Sequence, residues 1–530
     1  MTSQIVEDVL ATRSELSAEQ KGFLTQVLAD YRAFAGEGAE DELARRRVAA
    51  AAFRVGKIED RLGRREEAVA AFRQALQVYA LLATEAPAAS GYQESLADCH
   101  NNLGIELSGL GHTGEAEAHY REALAIRDRL AAGEPGVAEH RRSLGVGHYN
   151  LGNLLRDSGR NPEARDQLQR AVALRDELAA RPPHSSDAQR EWAAALTALA
   201  NVLADLGERA EAERLYAKAV PVLEQLTGAA PLVAEYRREL ASALNGQGNL
   251  LLERKDWAAA RGHLRRALAL RERLAADSPG AAEALRELAM TLANLAQLYV
   301  HTGDRAAADA HFRRALAHFE KLAADHPNTQ SYQVELGNTY IGFGVFVYTG
   351  GGAAECLSWF DKAGQRLTAV HEKDPRHALA KRQLCNSYRA RAIAYDRLER
   401  WREAVGAWDR AFELGTPEVQ NQTRAGRAIA LLHAGEISRA VADVEALRGT
   451  DGWTAEQLYN FACVCSVATK TLERKQELAD RAMELLRAAV ATGWNDVALT
   501  KQDTDLDPLR ARDDFKKLLT ELGAKHPPKK

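Results

Sequence analysis

Residues 96–135 read LADCHNNLGIELSGLGHTGEAEAHYREALAIRDRLAAGEP, and this stretch decides the fold. It contains two amphipathic segments of helical length, with Gly111 at the turn between them. A small residue, Gly104, lies in the first segment, and two alanines, Ala116 and Ala123, lie in the second. Two helices approach closely only where the side chains at their contact are small. The stretch therefore predicts a helical hairpin.

The same pattern recurs along the chain at an interval of 48 residues. Each repeat has a small residue in its first segment, a residue at the turn that is usually glycine, and a bulky residue between two small ones in its second segment. A fixed interval of this length indicates an array of stacked repeats. The alanine column at the end of the pattern has no exception, and it reads Ala75, Ala123, Ala171, Ala219, Ala267, Ala315, Ala363 and Ala411.

The motif NNLGIELSGLGHTGEAEAHYREAL resembles the tetratricopeptide repeat (TPR) family, whose usual period is 34 residues. The resemblance rests on the L-G pair, the later glycine, the two alanines and the aromatic residue between them. It implies an all-α fold, a right-handed TPR superhelix (α-solenoid) of about ten helical hairpins. The longer period of 48 residues indicates that both helices of each hairpin are extended.

The repeats and the sequences around them predict five regions. Both ends of a solenoid need atypical elements that cover the open apolar face. The predicted regions are an N-terminal segment with a capping helix (1–40), eight long repeats (41–415), a repeat of near-standard length (416–450), a divergent repeat (451–496), and a C-terminal capping helix with a tail (497–530).

Composition narrows the classes of function. Lys and Arg together number 70 and Asp and Glu 74, so the net charge of −4 gives no basic footprint for nucleic acid. Five cysteines without framework spacing favour a reducing compartment. The sequence has no apolar run of the ~18 residues that a membrane span needs. These features predict a cytoplasmic protein.

The 48-residue repeats, with EQKGFLTQVLADYRAF before them and ADRAMELLRAAVATGW after them, are also similar to the C-terminal TPR arm of certain large bacterial serine/threonine protein kinases. A kinase domain needs a VAIK-type lysine, an HRD loop and a DFG motif, and none of these occurs in the sequence. The resemblance therefore implies a partner-binding arm without its enzyme, with a serine/threonine kinase as one candidate partner.

Three motifs that could carry chemistry favour structural roles. Ile341–Phe346 holds two glycines but lies in a first helix, with no strand before it as a nucleotide loop requires. The CVC motif at 463–465 lacks the second ligand pair of a zinc site, which favours buried packing cysteines. The acidic run from Asp503 has Pro508 where a calcium loop needs glycine. We predict no catalytic residue, metal or cofactor.

A column of carboxamides is the main candidate for a binding surface. It follows the small residue of the first helix, and the TPR resemblance implies that first helices line a concave groove. Such a column can bind the backbone of an extended segment, because carboxamides both donate and accept hydrogen bonds. The alternative, a solvated polar face, stays open. The predicted partner-binding residues are Asn101, Asn153, Arg156, Asn201, Asn245, Asn249 and Gln297.

These observations predict a non-catalytic scaffold for protein–protein interaction, whose concave groove binds an extended peptide or a helix of another protein. The alternative is a detached sensor arm of a serine/threonine kinase signalling system.

Overall fold

The structure, a computed structural model, describes residues 18–35, 41–180, 185–471 and 473–525. All regular secondary structure in these residues is helical, which confirms the all-α prediction. None of the described helices is both long enough and apolar enough to cross a membrane.

Ten helical hairpins follow one another along the described chain, each made of a first helix and a second helix. The first helices are Glu42–Arg61, Ser90–Gly109, Ala138–Asp157, Ser186–Asp205, Ala234–Glu253, Ala282–His301, Gln330–Thr349, Ala378–Arg397, Pro417–His433 and Ala455–Ala468. The second helices are Arg65–Glu85, Thr113–Gly133, Asn161–Ala179, Arg209–Ala229, Trp257–Asp277, Arg305–Asp325, Glu355–Lys373, Trp401–Leu414, Ile437–Ala446 and Lys475–Ala491.

Shorter elements flank the hairpins. The helix Ala18–Ala35 precedes them and buries Leu24 against the first hairpin. After the last hairpin come the helix Val497–Gln502, a 3-10 turn at Thr504–Leu509 and the helix Asp513–Lys525.

The turn inside each long hairpin has the same backbone conformation whatever residue occupies it. Gly111 has a φ of 81°, and Lys255 and Glu399, which replace glycine in this column, keep φ values of 61° and 56°. A left-handed conformation costs a residue with a Cβ atom about 1–2 kcal/mol. The packing of the hairpin therefore imposes the turn, and the prediction for this column is confirmed.

The small and bulky columns meet where the two helices of a hairpin cross. A Cβ atom on Gly104 would lie 2.6 Å from the ring of Tyr120, and one on Gly152 would lie 2.7 Å from Leu168. Gly248 approaches Leu264 equally closely. The alanine column that begins at Ala75 is fully buried. The bulky side chain of each pair fills the space that the small residue leaves free.

The hairpins divide into two compact bodies. The N-terminal body contains the described residues up to Thr339 together with Arg376–Leu379, and the C-terminal body contains the others. The division falls within the helix Gln330–Thr349.

Within the N-terminal body, the chain returns to touch itself after 220 residues: Thr329 Oγ1 donates to the carbonyl of Gly109 at 3.3 Å. In the next repeat along, the Ala378 amide donates to the carbonyl of Ser158 at 3.0 Å. One superhelical turn of this body therefore takes between four and five 48-residue repeats. We call this contact the inter-turn seam. It joins residues 109–113 and 158–159 to residues 328–330 and 376–379.

In the C-terminal body, the carboxylate of Asp396 has few hydrogen bonds to offset the loss of its hydration. Asp396 Oδ2 accepts a hydrogen bond from Trp408 Nε1 at 3.1 Å, while its other oxygen, Oδ1, is buried without a hydrogen-bond partner in the described chain. Burial raises the pKa of Asp396 from 3.8 to about 6. An ionised Asp396 is therefore unfavourable in the folded protein.

Asp396→Asn should remove a pH dependence of stability. Because folding raises this pKa, the carboxyl group stabilises the fold below about pH 4, and that contribution is lost as the pH rises through 6. Asparagine keeps an acceptor for Trp408 and carries no charge. We expect a gain of about 1–2 kcal/mol at pH 8 and little change at pH 4.5. Urea titrations at both pH values test this, with the exposed loop residue Asp451→Asn as a control that should change neither midpoint.

Candidate partner-binding surface

The first helices of the N-terminal body face one another across its interior. Burial is the largest cause of the raised pKa of Tyr149, and the charge of Glu239 is the second largest. The first helix that contains Tyr149 lies two repeats before the one that contains Glu239. Asp157 also contributes to the raised pKa of Glu335, four repeats away. These first helices therefore lie near one another in space. We call the surface that they share the inner wall: Ser90–Gly109 to Ala282–His301, with residues 330–339.

Part of the predicted carboxamide column is accessible on the inner wall. Gln297 is exposed, and Asn153 and Asn249 are half-buried. Asn153 hydrogen-bonds to Tyr149, which faces this interior. The half-buried Asn201 already accepts a hydrogen bond of 2.6 Å from Tyr216 Oη. Gln297, Asn153 and Asn249 thus lie in the sixth, third and fifth repeats.

Two other predicted residues are buried and join neighbouring repeats. Asn101 Oδ1 accepts hydrogen bonds from Asn150 Nδ2 at 3.0 Å and Arg127 Nη1 at 3.2 Å. Asn245 Oδ1 accepts one from Asn294 Nδ2 at 3.1 Å. Their side chains stabilise the stacking of first helices, so they have little capacity left for a partner.

Arg156, the predicted charged residue, is half-buried on the inner wall. Its Nη2 donates to Oδ1 of the adjacent Asp157 at 2.9 Å. The pair places opposite charges side by side near the end of its first helix.

A regular series of ion pairs, which was not predicted from the sequence, joins successive first helices, and we call it the inner ladder. In each pair an arginine of one first helix meets a glutamate 49 residues later in the next first helix. The recurrence of Arg-Glu dipeptides at 48-residue intervals was the available signal. The pairs and their N···O distances are Arg142–Glu191, 2.8 Å; Arg190–Glu239, 3.8 Å; Arg238–Glu287, 4.0 Å; and Arg286–Glu335, 2.7 Å.

Three glutamates of the inner ladder are poorly compensated. Burial raises the pKa of Glu239 and of Glu335 from 4.5 to about 7, and it also raises the pKa of Glu287. Oε2 of Glu287 and Oε2 of Glu335 are buried without hydrogen-bond partners among the described residues. Asn249 Oδ1 is in the same situation. Most buried acceptors in folded proteins have a hydrogen-bond partner.

The C-terminal body brings together three groups that could bind a metal ion. Ligand atoms of Cys463, Asp503 and Asp505 lie within 4.8 Å of one another. However, Asp503 Oδ2 already accepts hydrogen bonds from Tyr459 Oη at 2.7 Å and from Cys463 Sγ at 3.6 Å. Burial raises the pKa of the Cys463 thiol, which therefore stays protonated, whereas metal binding needs the thiolate. Cys463 and Cys465 are both buried, as predicted.

Comparison with known families identifies the repeats. Models described as "Tetratricopeptide repeat" match residues 49–80, 96–131, 149–179, 192–231, 240–279 and 288–328. These six segments match tetratricopeptide repeats. No curated protein matches the chain.

Several solved structures are similar in fold to this chain, and three of them are described here. BtubC from P. vanneervenii is 23% identical and has a TM-score of 0.36, covering 49% of this chain and 91% of its own. A Rap protein complexed with competence and sporulation factor is 12% identical with a TM-score of 0.46, covering 80% and 98%. RapI in its apo form is 13% identical with a TM-score of 0.44, covering 70% and 97%.

Proposed function

We propose that this protein is a non-catalytic scaffold whose inner wall binds an extended segment of a partner protein. The supporting observation is a series of carboxamides at equivalent positions of different repeats, of which Gln297 is exposed and Asn153 and Asn249 are half-buried. An extended backbone presents N–H and C=O groups along its length, and carboxamides can pair with both. A serine/threonine kinase is one candidate partner, supported by sequence resemblance alone, and the composition supports a cytoplasmic location.

Replacing the accessible carboxamides should weaken partner binding with little effect on the fold. Partners are captured from a lysate of the native cells on the intact chain, identified by mass spectrometry, and their affinities are then measured with purified proteins. We expect the triple variant Asn153→Ala/Asn249→Ala/Gln297→Ala to bind at least tenfold more weakly. It removes hydrogen-bonding groups that hold no repeat together, so its melting temperature should stay close to that of the unmodified chain.

The matched control removes three exposed glutamines from the outer second helices, Gln77, Gln169 and Gln225. Its affinity should equal that of the unmodified chain. If both triple variants bind the captured partner as tightly as the unmodified chain, the binding surface is not the carboxamide column.

A further inference from the structure

We infer that His100 and His119 form a site for a transition-metal ion that prefers imidazole ligands, such as Zn²⁺ or Ni²⁺, with Glu122 as a third ligand. His100 lies in the first helix Ser90–Gly109, and the other two residues lie in the second helix Thr113–Gly133 of the same hairpin. An ion bound there would link the two helices. No metal was predicted from the sequence, because only the crossing of the helices brings the two histidines together.

The two imidazole rings present the same nitrogen atom to each other. His100 Nδ1 lies 2.9 Å from His119 Nδ1, and the ring centroids are 5.1 Å apart. Two metal–imidazole bonds of about 2.0–2.1 Å that meet at about 90–109° place their nitrogens roughly 2.8–3.4 Å apart. The observed separation therefore suits two ligands of one ion, once a small rotation of the rings directs both lone pairs at it.

Both rings are neutral at neutral pH, as the ligands of a metal ion must be. Burial lowers the pKa of His100 to about 4, and the neighbouring His119 lowers it further. Burial also lowers the pKa of His119. In the hydrogen bond between the rings one Nδ1 carries a proton. Metal binding moves this proton to Nε2 of the same ring and leaves both Nδ1 lone pairs for the ion.

The carboxylate of Glu122 is available as the third ligand. Its charge acts on both histidines and raises the pKa of each, against the effect of burial. Glu122 is exposed, has no hydrogen bond or ion pair among the described residues, and lies three residues after His119 on the same helix face. Arg73 also acts on His119, but its Nη2 lies 3.1 Å from Glu115 Oε2, which offsets its charge.

The repeat column that contains Glu122 supports this assignment. At 48-residue intervals the column is basic in six of the other long repeats and is glutamine, Gln74, in the remaining one. The basic residues are Arg170, Lys218, Arg266, Arg314, Lys362 and Arg410. A carboxylate favours a bound cation and a basic side chain opposes it. The acidic residue thus occurs in the one long repeat that has histidine at both ring positions.

The third repeat has the same arrangement with different side chains, and it supplies matched variants. His148 Nδ1 lies 2.8 Å from Oε1 of Gln167, which occupies the position of His119, and Arg170 occupies the position of Glu122. His119→Gln therefore gives the second repeat a pair that the third repeat already has. Gln167→His/Arg170→Glu builds the complete ligand set in the third repeat.

Isothermal titration calorimetry with Zn²⁺, on the full chain after treatment with a chelator, counts the sites. We expect His119→Gln to weaken the strongest site at least tenfold, and Glu122→Ala to weaken it severalfold. Gln167→His/Arg170→Glu should add one site of similar affinity. The same order of affinities is expected with Ni²⁺, since both ions bind imidazole.

Hydrogen exchange locates the ion. At a free Zn²⁺ concentration one hundred times the dissociation constant, amides in 96–105 and 113–125 should exchange up to about a hundredfold more slowly, because the ion binds only the closed hairpin. In His119→Gln the same amides should exchange at rates that Zn²⁺ does not change.

We would reject the site if the unmodified chain and His119→Gln bound Zn²⁺ equally, or if Gln167→His/Arg170→Glu gained no site. Zn²⁺ binding that survives in His119→Gln and is lost in Asp505→Asn would assign the ion to Cys463, Asp503 and Asp505 instead. None of these results bears on the proposed function, which is tested by partner binding.

Discussion

Gly104→Val should destabilise its hairpin by about 3 kcal/mol. Overpacking of a core typically costs about 1–3 kcal/mol, and we expect the upper end of this range because the β-branched side chain of valine is stiff and lies where two helices cross. The added Cβ atom alone would lie 2.6 Å from Cε1 of Tyr120. Tyr120 is only 5% exposed, so its ring is enclosed by neighbouring residues. Three repeats accept alanine at this position, as in Ala200, but valine adds two further methyl groups.

The control for this prediction is Gly262→Val, in the middle of the second helix Trp257–Asp277. A Cβ atom on Gly262 would meet nothing within 4 Å. Valine has a slightly higher helix propensity than glycine, so this variant should be as stable as the unmodified chain or slightly more stable. Hydrogen exchange of the amides in each hairpin reports local stability, which suits repeat arrays because they need not unfold in one step. Equal protection in both variants would contradict the assigned crossing.

The sequence predicts the hairpins well because each one is determined by local contacts. Gly104 and Tyr120 are 16 residues apart, and so are Gly152 and Leu168. The same contact recurs in each repeat, so its signature repeats in the sequence. The turn column was predicted from its glycines, and Lys255 shows that the turn keeps its conformation without one.

The candidate binding surface was predicted less completely. The carboxamide column contains half-buried asparagines such as Asn153, but the same residue type is buried at Asn101 and Asn245, where it joins neighbouring repeats. The residue type alone does not distinguish these two roles. The inner ladder was missed because its partners are 49 residues apart, so each pair joins two different columns of the 48-residue repeat.

The inter-turn seam could not be predicted from any single repeat. It depends on the rotation between successive repeats, summed over more than four of them. Gly111 and Gly207 occupy equivalent positions in the sequence, yet a Cβ atom on Gly111 would lie 2.5 Å from the carbonyl oxygen of Asn328, whereas one on Gly207 would meet nothing within 4 Å. Glycine at this position therefore allows a contact between distant repeats at Gly111, whereas at Gly207 it serves only the local turn.

This difference leads to a second large effect, in Gly111→Ala/Gly159→Ala. A Cβ atom on Gly159 would lie 2.6 Å from the backbone nitrogen of Leu379. Backbone atoms cannot move aside as the end of a flexible side chain can, so the two methyl groups should separate the seam. The amide of Ala378, which donates to Ser158, should then exchange with solvent at least tenfold faster. Hydrogen-exchange mass spectrometry of peptides that cover 326–332 and 376–379 measures this.

Gly207→Ala/Gly303→Ala is the matched control, because these glycines have the same positive φ and no neighbours within 4 Å. Both double variants place alanine in the left-handed region at a cost of about 1–2 kcal/mol per residue, so only the seam contact distinguishes them. Equal exchange at 376–379 in the two variants would show that the seam does not hold the turns together.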